Sequence, residues 1–165
     1  GLRGLVHESD FMIGYVFEED VAKVDAMLAI PKIKSYFPEN LKFMWAYHSE
    51  TNNDEIKTVA LYAVKIPDGG KAVIDGRHIQ SAKAEQSFNT GQPVIRIAMN
   101  QQGSQAWKTM TSDNIGKAIA IVIDDYVLTC PVVNGAITGG ETEISGNFTV
   151  KEAKELATRI QAGIK

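Results

Sequence analysis

The sequence predicts an α+β fold in which antiparallel strand pairs pack against helices. Apolar, β-prone runs come in neighbouring pairs joined by short polar segments, as in "LKFMWAYH" and "TVALYAVKI". Helical patterns are few and do not alternate strictly with strands, as a parallel sheet would require. A chain of 165 residues also buries roughly 70% of its unfolded surface on folding, so its core needs no disulfide or metal.

Residues 11–66 predict the order β-α-α-β-β. "FMIGYVF" is a strand, and the helix "EEDVAKVDAML" follows, with acidic residues in its first turn and apolar residues at helical spacing. Pro31 opens a second helix, "PKIKSYF", and Pro38 ends it. Two strands come next, and the polar run "SETNNDE" between them predicts a flexible hairpin loop.

The turn cluster "PDGGK", Pro67 to Lys71, is the strongest break in the chain. The run after it, "AVIDGRHIQSAKAEQSF", is ambiguous between extended and helical, whereas "PVIRIAM" predicts a strand. "GSQAWKTMTSDN" predicts a helix with Ala106, Trp107 and Met110 on one face. It ends near Asn114 and Gly116, where glycine can adopt the left-handed conformation.

A hairpin and a helix complete the chain. Two β-prone runs, 118–123 and 126–133, are separated only by Asp124 and Asp125, which we therefore place at the tip of a tight turn. "FTVKEAKELATRI" predicts a helix that begins with a capping box of Thr149 and Glu152 and stops at Gly163. Its predicted buried stripe comprises Val150, Ala153, Leu156, Ala157 and Ile160.

Composition excludes several classes of protein. The net charge is -3 and the 17 basic residues form no cluster, which argues against binding to nucleic acid or anionic lipid. The single cysteine, Cys130, excludes an intrachain disulfide and a zinc site made of cysteines alone. No apolar run approaches the roughly 20 residues needed to span a bilayer. We expect a soluble segment cut from something longer, because the chain begins with Gly1 and stops after a helix.

The pair Gly116-Lys117 fails as a phosphate-binding loop. That motif needs a glycine five residues earlier and a serine or threonine after the lysine, but Thr111 and Ala118 stand at those positions. The pair also follows a helix and precedes a strand, the reverse of the order that aims a helix N-terminus at an anion. The preferred interpretation is a glycine that ends a helix beside a solvated lysine.

Other residues that could carry chemistry have structural explanations. Asp124 and Asp125 could act as an acid/base pair, but neighbours at a hairpin tip are both solvated and favour a turn. Cys130 lacks an identifiable base nearby and is more typical of packing. The three histidines have no zinc-ligand spacing; they are His7, His48 and His78. We therefore predict no catalytic, cofactor-binding or metal-binding residue, and no cofactor.

Two further features leave alternatives open. "NFT" at Asn147 is a glycosylation sequon only in a secretory eukaryotic setting, and the start of the last helix explains it equally well. Trp45, Tyr47 and Trp107 could line a groove for apolar peptide, with core packing as the alternative. Physical reasoning alone thus stops at a soluble, non-catalytic α+β domain.

The second half of the chain resembles a known family. "DNIGKAIAIVIDDYVLTCPVVNGAITGG", followed by "ISGNFTVKEAKELATRIQAG", is similar to the large extracytoplasmic domain of SecD, a protein-export translocase subunit, including its fused SecD/SecF form. The positions that match are Gly76, Ile79, Ala82, Thr111, Asn114, Gly116, Lys117, Pro131, Ile137, Gly140, Ile144, Gly146, Phe148, Glu152, Ala153, Leu156, Ala157 and Gly163. Thr129-Cys130 departs from the Ser-Ala of the family. Residues 11–66 resemble an elaboration of the fused form.

The resemblance implies a non-enzymatic domain on the periplasmic side of the bacterial inner membrane. Residues 1–165 would form a single head domain, with an alternative subdivision into 1–66 and a signature region, 72–165. Its partners would be unfolded secretory preproteins, SecF and the Sec channel subunits. The head would transiently engage emerging preprotein and aid export driven by the proton-motive force. The substrate-binding residues stay unassigned.

Two alternatives to this function remain. The first is a structural domain that contacts other translocase subunits without binding substrate. The second is a small hydrolase using Asp124 or Cys130, which has no positive support in the sequence.

Overall fold

The computed structural model describes residues 12–164 and confirms the α+β class. His7, considered above as a metal ligand, and Phe11, the first residue of the predicted opening strand, lie outside this range. The strands are β1 (Met12–Phe17), β2 (Leu41–Trp45), β3 (Glu50–Thr51), β4 (Lys57–Lys65), β5 (Ile79–Gln86), β6 (Pro93–Met99), β7 (Ile121–Ile123), β8 (Tyr126–Thr129) and β9 (Glu141–Ser145). The helices are α1 (Val21–Leu28), α2 (Pro31–Lys34), α3 (Gln101–Asp113) and α4 (Val150–Ala162).

The chain divides into two compact units. Of the described residues, the first contains 12–71 together with Ala120–Leu128, and the second contains Ala72–Ile119 together with 129–164. The first unit therefore holds β1 to β4, α1, α2, β7 and β8 as far as Leu128.

The sheet of the first unit is antiparallel, in the order β1-β4-β2, and β3 also pairs with β4. The expected loop 49–55 is shorter than predicted, because Glu50 and Thr51 form β3 against β4. The remaining turn is built by Asn52, whose side-chain oxygen accepts hydrogen bonds from the backbone N–H groups of Asp54 and Ile56. An Asx-type turn thus replaces part of the flexible loop.

Helix α1 and the segment that follows α2 contact the sheet face that carries Phe43 and Trp45. The indole Nε1 of Trp45 donates to Asp25 Oδ1 of α1 at 2.9 Å. The Phe37 ring meets Phe43 edge-on, with centroids 4.9 Å apart. Helix α2 ends at Lys34, earlier than predicted. Residues 18–20, predicted as helix, form a separate 3-10 turn before α1.

The β7–β8 hairpin turns at the predicted aspartates. Asp124 and Asp125 have φ values of 50° and 67°, so both central residues are left-handed, as a type I′ hairpin turn requires. The strands are shorter than predicted, and beyond Thr129 the pairing continues as an isolated bridge between Ala118 and Val132 with a few backbone hydrogen bonds around it. Within the first unit, Val127 forms a bridge with Ala46.

The second unit contains a three-stranded antiparallel sheet, β5-β6-β9, with α4 packed on β5 and β6. The ambiguous run after Lys71 is extended over Ile79–Gln86, and β6 occupies the predicted segment. Strand β9 is polar, and no sequence pattern predicted it. Ile95 and Leu156 are among the most deeply buried side chains of this core.

The capping box of α4 forms as predicted, since Thr149 Oγ1 accepts from the Glu152 N–H and the Glu152 carboxylate accepts from the Thr149 N–H. The buried stripe is narrower than predicted. Ala153, Leu156 and Ala157 are buried, Ile160 is partly buried and Val150 is 52% exposed. Val150 is the first residue of the helix.

Candidate functional site

Gly116 and Lys117 shape the path from α3 into the hairpin stem. Gly116 has φ 79°, the predicted left-handed conformation. Its N–H donates to the Val133 carbonyl at 2.8 Å, and the Val133 N–H donates to the Lys117 carbonyl at 2.9 Å. The backbone groups of this pair are therefore used by the fold itself.

The two aspartates of the hairpin tip are both exposed. Asp125 Oδ1 lies 2.7 Å from Lys42 Nζ on strand β2, so its carboxylate takes part in a surface ion pair. Both positions are turn residues whose conformation the chain reversal requires.

The Cys130 thiol is only partly accessible. Burial raises its pKa to about 11, so the thiol stays protonated at neutral pH. Because the thiolate is the nucleophile in cysteine chemistry, this environment disfavours catalysis.

The described histidines and tryptophans have ordinary packing roles. His48 meets the Tyr47 ring edge-on at 4.9 Å, and His78 Nδ1 lies 3.1 Å from Asp75 Oδ1. Within residues 12–164 no three potential metal-ligating side chains come together. Trp107 is buried in the second unit, whereas Trp45 is partly exposed and donates its indole N–H to Asp25.

The turn Asp75–His78 is held by a set of hydrogen bonds that the sequence pattern did not predict. The Asp75 carboxylate accepts from the backbone N–H, Nε and Nη2 of Arg77, the last at 2.7 Å. These bonds hold the Asp75 pKa well below its usual range. A Cβ at Gly76 would collide with the Gly163 carbonyl, so the turn lies tightly against the end of α4. These contacts fix the backbone immediately before β5.

The first unit exposes several large apolar side chains. Met27, Ile30, Tyr36 and Phe37 are 52%, 45%, 72% and 40% exposed. We call these four residues the α1–α2 surface. Neither helix buries a residue completely, since Val21, Val24 and Leu28 face the sheet only partly covered. Sequence periodicity identified the inner side of α1 but did not indicate that these four residues are exposed.

A family model described as the SecDF P1 head subdomain matches residues 50–164. The chain belongs to this family. The resemblance inferred from the sequence signature is thereby confirmed. None of the helices described within residues 12–164 is both long and apolar enough to cross a bilayer.

Curated relatives of this P1 head are protein translocase subunits SecD. The subunit of Rickettsia prowazekii is 40% identical over 93 residues, which cover 56% of this chain and 18% of the relative. That of Rhodothermus marinus is 28% identical over 152 residues, covering 92% of this chain and 24% of the relative. The chain therefore spans less than a quarter of the length of these relatives.

Solved SecDF structures share the fold. A structure described as a membrane component SecDF that enhances protein export has a TM-score of 0.53 and 25% identity, covering 93% of this chain and 61% of that one. A crystal structure of SecDF in a super-membrane-facing form has a TM-score of 0.53 and 24% identity, covering 93% of this chain and 18% of that one.

Proposed function

We propose that this P1 head transiently engages unfolded preproteins on the periplasmic side of the bacterial inner membrane. In this role it aids export driven by the proton-motive force, together with SecF and the channel subunits. It does so by binding and release, without catalysing a reaction. Residues 1–165 act as one head domain made of the two units described above.

The α1–α2 surface is the observation that carries this proposal. Isolated exposed apolar residues are normal on a protein surface, but a concentration of them marks an interaction site. Here four large apolar side chains are exposed within residues 27–37. An unfolded chain presents apolar side chains without a fixed sequence, which such a surface can accept.

The chemistry of these four side chains suits a promiscuous partner. Met27 has a flexible, polarisable side chain that adapts to different shapes. Tyr36 combines an apolar ring with a polar hydroxyl, so it tolerates both apolar and hydrated partners. Helices α1 and α2, which carry or adjoin these residues in the chain, are short and hold no fully buried residue, so small adjustments there disturb little of the core.

The positions of the polar candidates support a role without catalysis. Asp124 and Asp125 form the hairpin turn, and Cys130 is a protonated thiol at neutral pH. Gly116 and Lys117 use their backbone groups to hold the hairpin stem.

The test is an NMR titration of this chain with an unfolded secretory precursor segment, using the same segment within a folded carrier as the control ligand. We expect saturable shifts around Met27, Ile30 and Tyr36 with the unfolded segment only. The double substitution Ile30→Ser/Tyr36→Ser is expected to weaken binding. The matched control is Val150→Ser/Phe88→Ser, which removes an aliphatic and an aromatic side chain that are 52% and 92% exposed in the second unit.

Two results would contradict the proposal. Equal loss of binding in both double variants would place the contact elsewhere or make it nonspecific. Binding only to folded SecF or channel subunits, with none to the unfolded segment, would support the structural alternative.

A further inference from the structure

Strand β9 forms one end of the β5-β6-β9 sheet and leaves its outer backbone edge open. The Met99 N–H donates to the Gly140 carbonyl at 2.7 Å, so Met99 and Gly140 are a hydrogen-bonded pair of the β6–β9 ladder. Because bonded and non-bonded pairs alternate, the N–H and C=O groups of Glu141, Glu143 and Ser145 point away from β6. All three residues are exposed, and no backbone bond within residues 12–164 reaches their outer side.

The opposite edge of the same sheet is partly closed. On β5 the outward N–H of Ala82 donates to the side-chain oxygen of Gln161 at 2.9 Å, and α4 packs along this strand. The two edges therefore differ, and β9 is the one that presents a free row of donors and acceptors to an incoming chain.

The side chains of β9 give this edge a chemical preference. Glu141 and Glu143 share one sheet face, where Arg96 Nη2 lies 3.3 Å from Glu143 Oε2. Arg96 also donates to Glu85, through Nε at 2.8 Å, so one guanidinium is shared by the carboxylates of Glu85 and Glu143. The nearest other base on this face, Lys83, lies on the far strand β5. β9 itself carries two carboxylates and no base.

These charges disfavour a second copy of the chain as the partner. Two β9 strands paired with each other would place glutamates opposite or next to glutamates, and like charges across a strand pair are destabilising. A segment with lysine or arginine at alternate positions would instead meet Glu141 and Glu143 with opposite charge. The intervening residues of that segment would lie on the face of Thr142 and the buried Ile144, where apolar β-formers fit.

We propose that the outer edge of β9 captures an extended polypeptide segment by antiparallel strand addition, with basic residues opposite Glu141 and Glu143. This inference rests on the proposed function and specifies a second contact for the same unfolded partners. Backbone hydrogen bonds supply attraction that does not depend on sequence, while the glutamates favour basic segments.

Two isomeric peptides can test the hydrogen bonding directly. In an antiparallel pair the residues opposite Glu141 and Glu143 point their own N–H groups at β9. A peptide of alternating lysine and valine is therefore compared in two N-methylated forms of identical composition and charge. Methyl groups on the lysine nitrogens block the bonds to β9, whereas methyl groups on the valine nitrogens face away.

NMR titration of the whole chain is expected to give saturable shifts at the amides of Glu141, Glu143 and Ser145 with the unmodified peptide. The valine-methylated form should bind comparably, and the lysine-methylated form should bind about tenfold more weakly or worse. The variant Glu141→Lys/Glu143→Lys should weaken binding at least about threefold. Glu39→Lys/Glu155→Lys makes the same change in net charge at exposed residues that are not part of β9 and should leave binding unchanged.

Equal binding of the two methylated peptides, or shifts that avoid β9, would overturn the inference. Binding of the unfolded precursor segment at the α1–α2 surface would then still support the proposed function. If neither the peptide nor the precursor segment binds, both this inference and the proposed function are refuted. If Glu141→Lys/Glu143→Lys disturbs the fold, Glu141→Gln/Glu143→Gln answers the same question, and the peptide comparison needs no variant.

Discussion

The Thr111 hydroxyl accepts a hydrogen bond from the backbone N–H of Ile137 at 2.9 Å and donates one to the Trp107 carbonyl at 2.8 Å. Thr111 is fully buried on α3, and Ile137 lies in the irregular segment between the hairpin and β9. A single side chain thus ties a stretch without secondary structure to a core helix of the second unit.

Replacing Thr111 with valine should destabilise the protein. Valine keeps the shape but leaves the Ile137 N–H without its acceptor, which costs about 1–3 kcal/mol when the group is buried. Urea denaturation at neutral pH measures the change. Thr109→Val is the matched control, because Thr109 is exposed on the same helix and, among the described residues, its hydroxyl bonds only the Gln105 carbonyl. Equal losses in the free energy of unfolding from the two substitutions would contradict a stabilising role for the hydrogen bond between Thr111 and Ile137.

Gly76→Ala should be costly, because the new Cβ would collide with the carbonyl of Gly163 at the end of α4. Backbone atoms on both sides must shift, so we expect a loss of about 1–3 kcal/mol in the free energy of unfolding. Gly135→Ala is the control, since a Cβ there meets no atom within 4 Å among the described residues. A loss at Gly135 as large as that at Gly76 would argue against steric crowding as the cause.

Replacing the Asp-Asp pair of the β7–β8 turn with Asn-Gly should not destabilise the protein. Asp124→Asn/Asp125→Gly supplies the Asn-Gly pair that type I′ turns prefer and removes left-handed strain at the second position. The lost ion pair with Lys42 is exposed and worth about 0–1 kcal/mol, so the melting temperature should hold or rise. Asp125→Ala loses the same ion pair and keeps a strained φ, so it should melt lower. A lower melting temperature for Asp124→Asn/Asp125→Gly than for Asp125→Ala would contradict the turn assignment.

Local rules predicted the elements whose signals lie within a few residues. The Asp124-Asp125 spacing located the hairpin, and Thr149 with Glu152 located the start of α4, because turns and caps depend on neighbours in sequence. Strand β9 was missed because its open edge and one sheet face are solvated, which leaves Ile144 as its only buried side chain.

The candidate surfaces were less predictable than the fold. The α1–α2 surface was not predicted because Tyr36 and Phe37 lie in a segment predicted as helix, whereas α2 ends at Lys34 and the Phe37 ring meets Phe43 edge-on. The open edge of β9 depends on strand order, which pairs segments far apart in the chain. Sequence periodicity reports which side of an element is apolar, but not whether another element covers it.

Acid should remove a contribution that Asp75 makes to stability. The Asp75 pKa is held well below its ordinary value by its bonds to Arg77, whereas in the unfolded chain it returns to about 3.9. The native state therefore keeps the carboxylate ionised while the unfolded state takes up a proton. The contribution is complete at neutral pH and is lost as the pH falls below about 4.

The variant Asp75→Asn isolates this contribution. It should be less stable than the parent chain at neutral pH, and the difference should shrink as urea denaturation is repeated from about pH 5 down to about pH 2. Arg77→Ala should give the same pH-dependent gap, and the double variant should add little, because both changes break one ion pair. If the difference in the free energy of unfolding stays constant over this range, Asp75→Asn destabilises the chain for reasons other than charge. The low pKa of Asp75 would then make no contribution to stability.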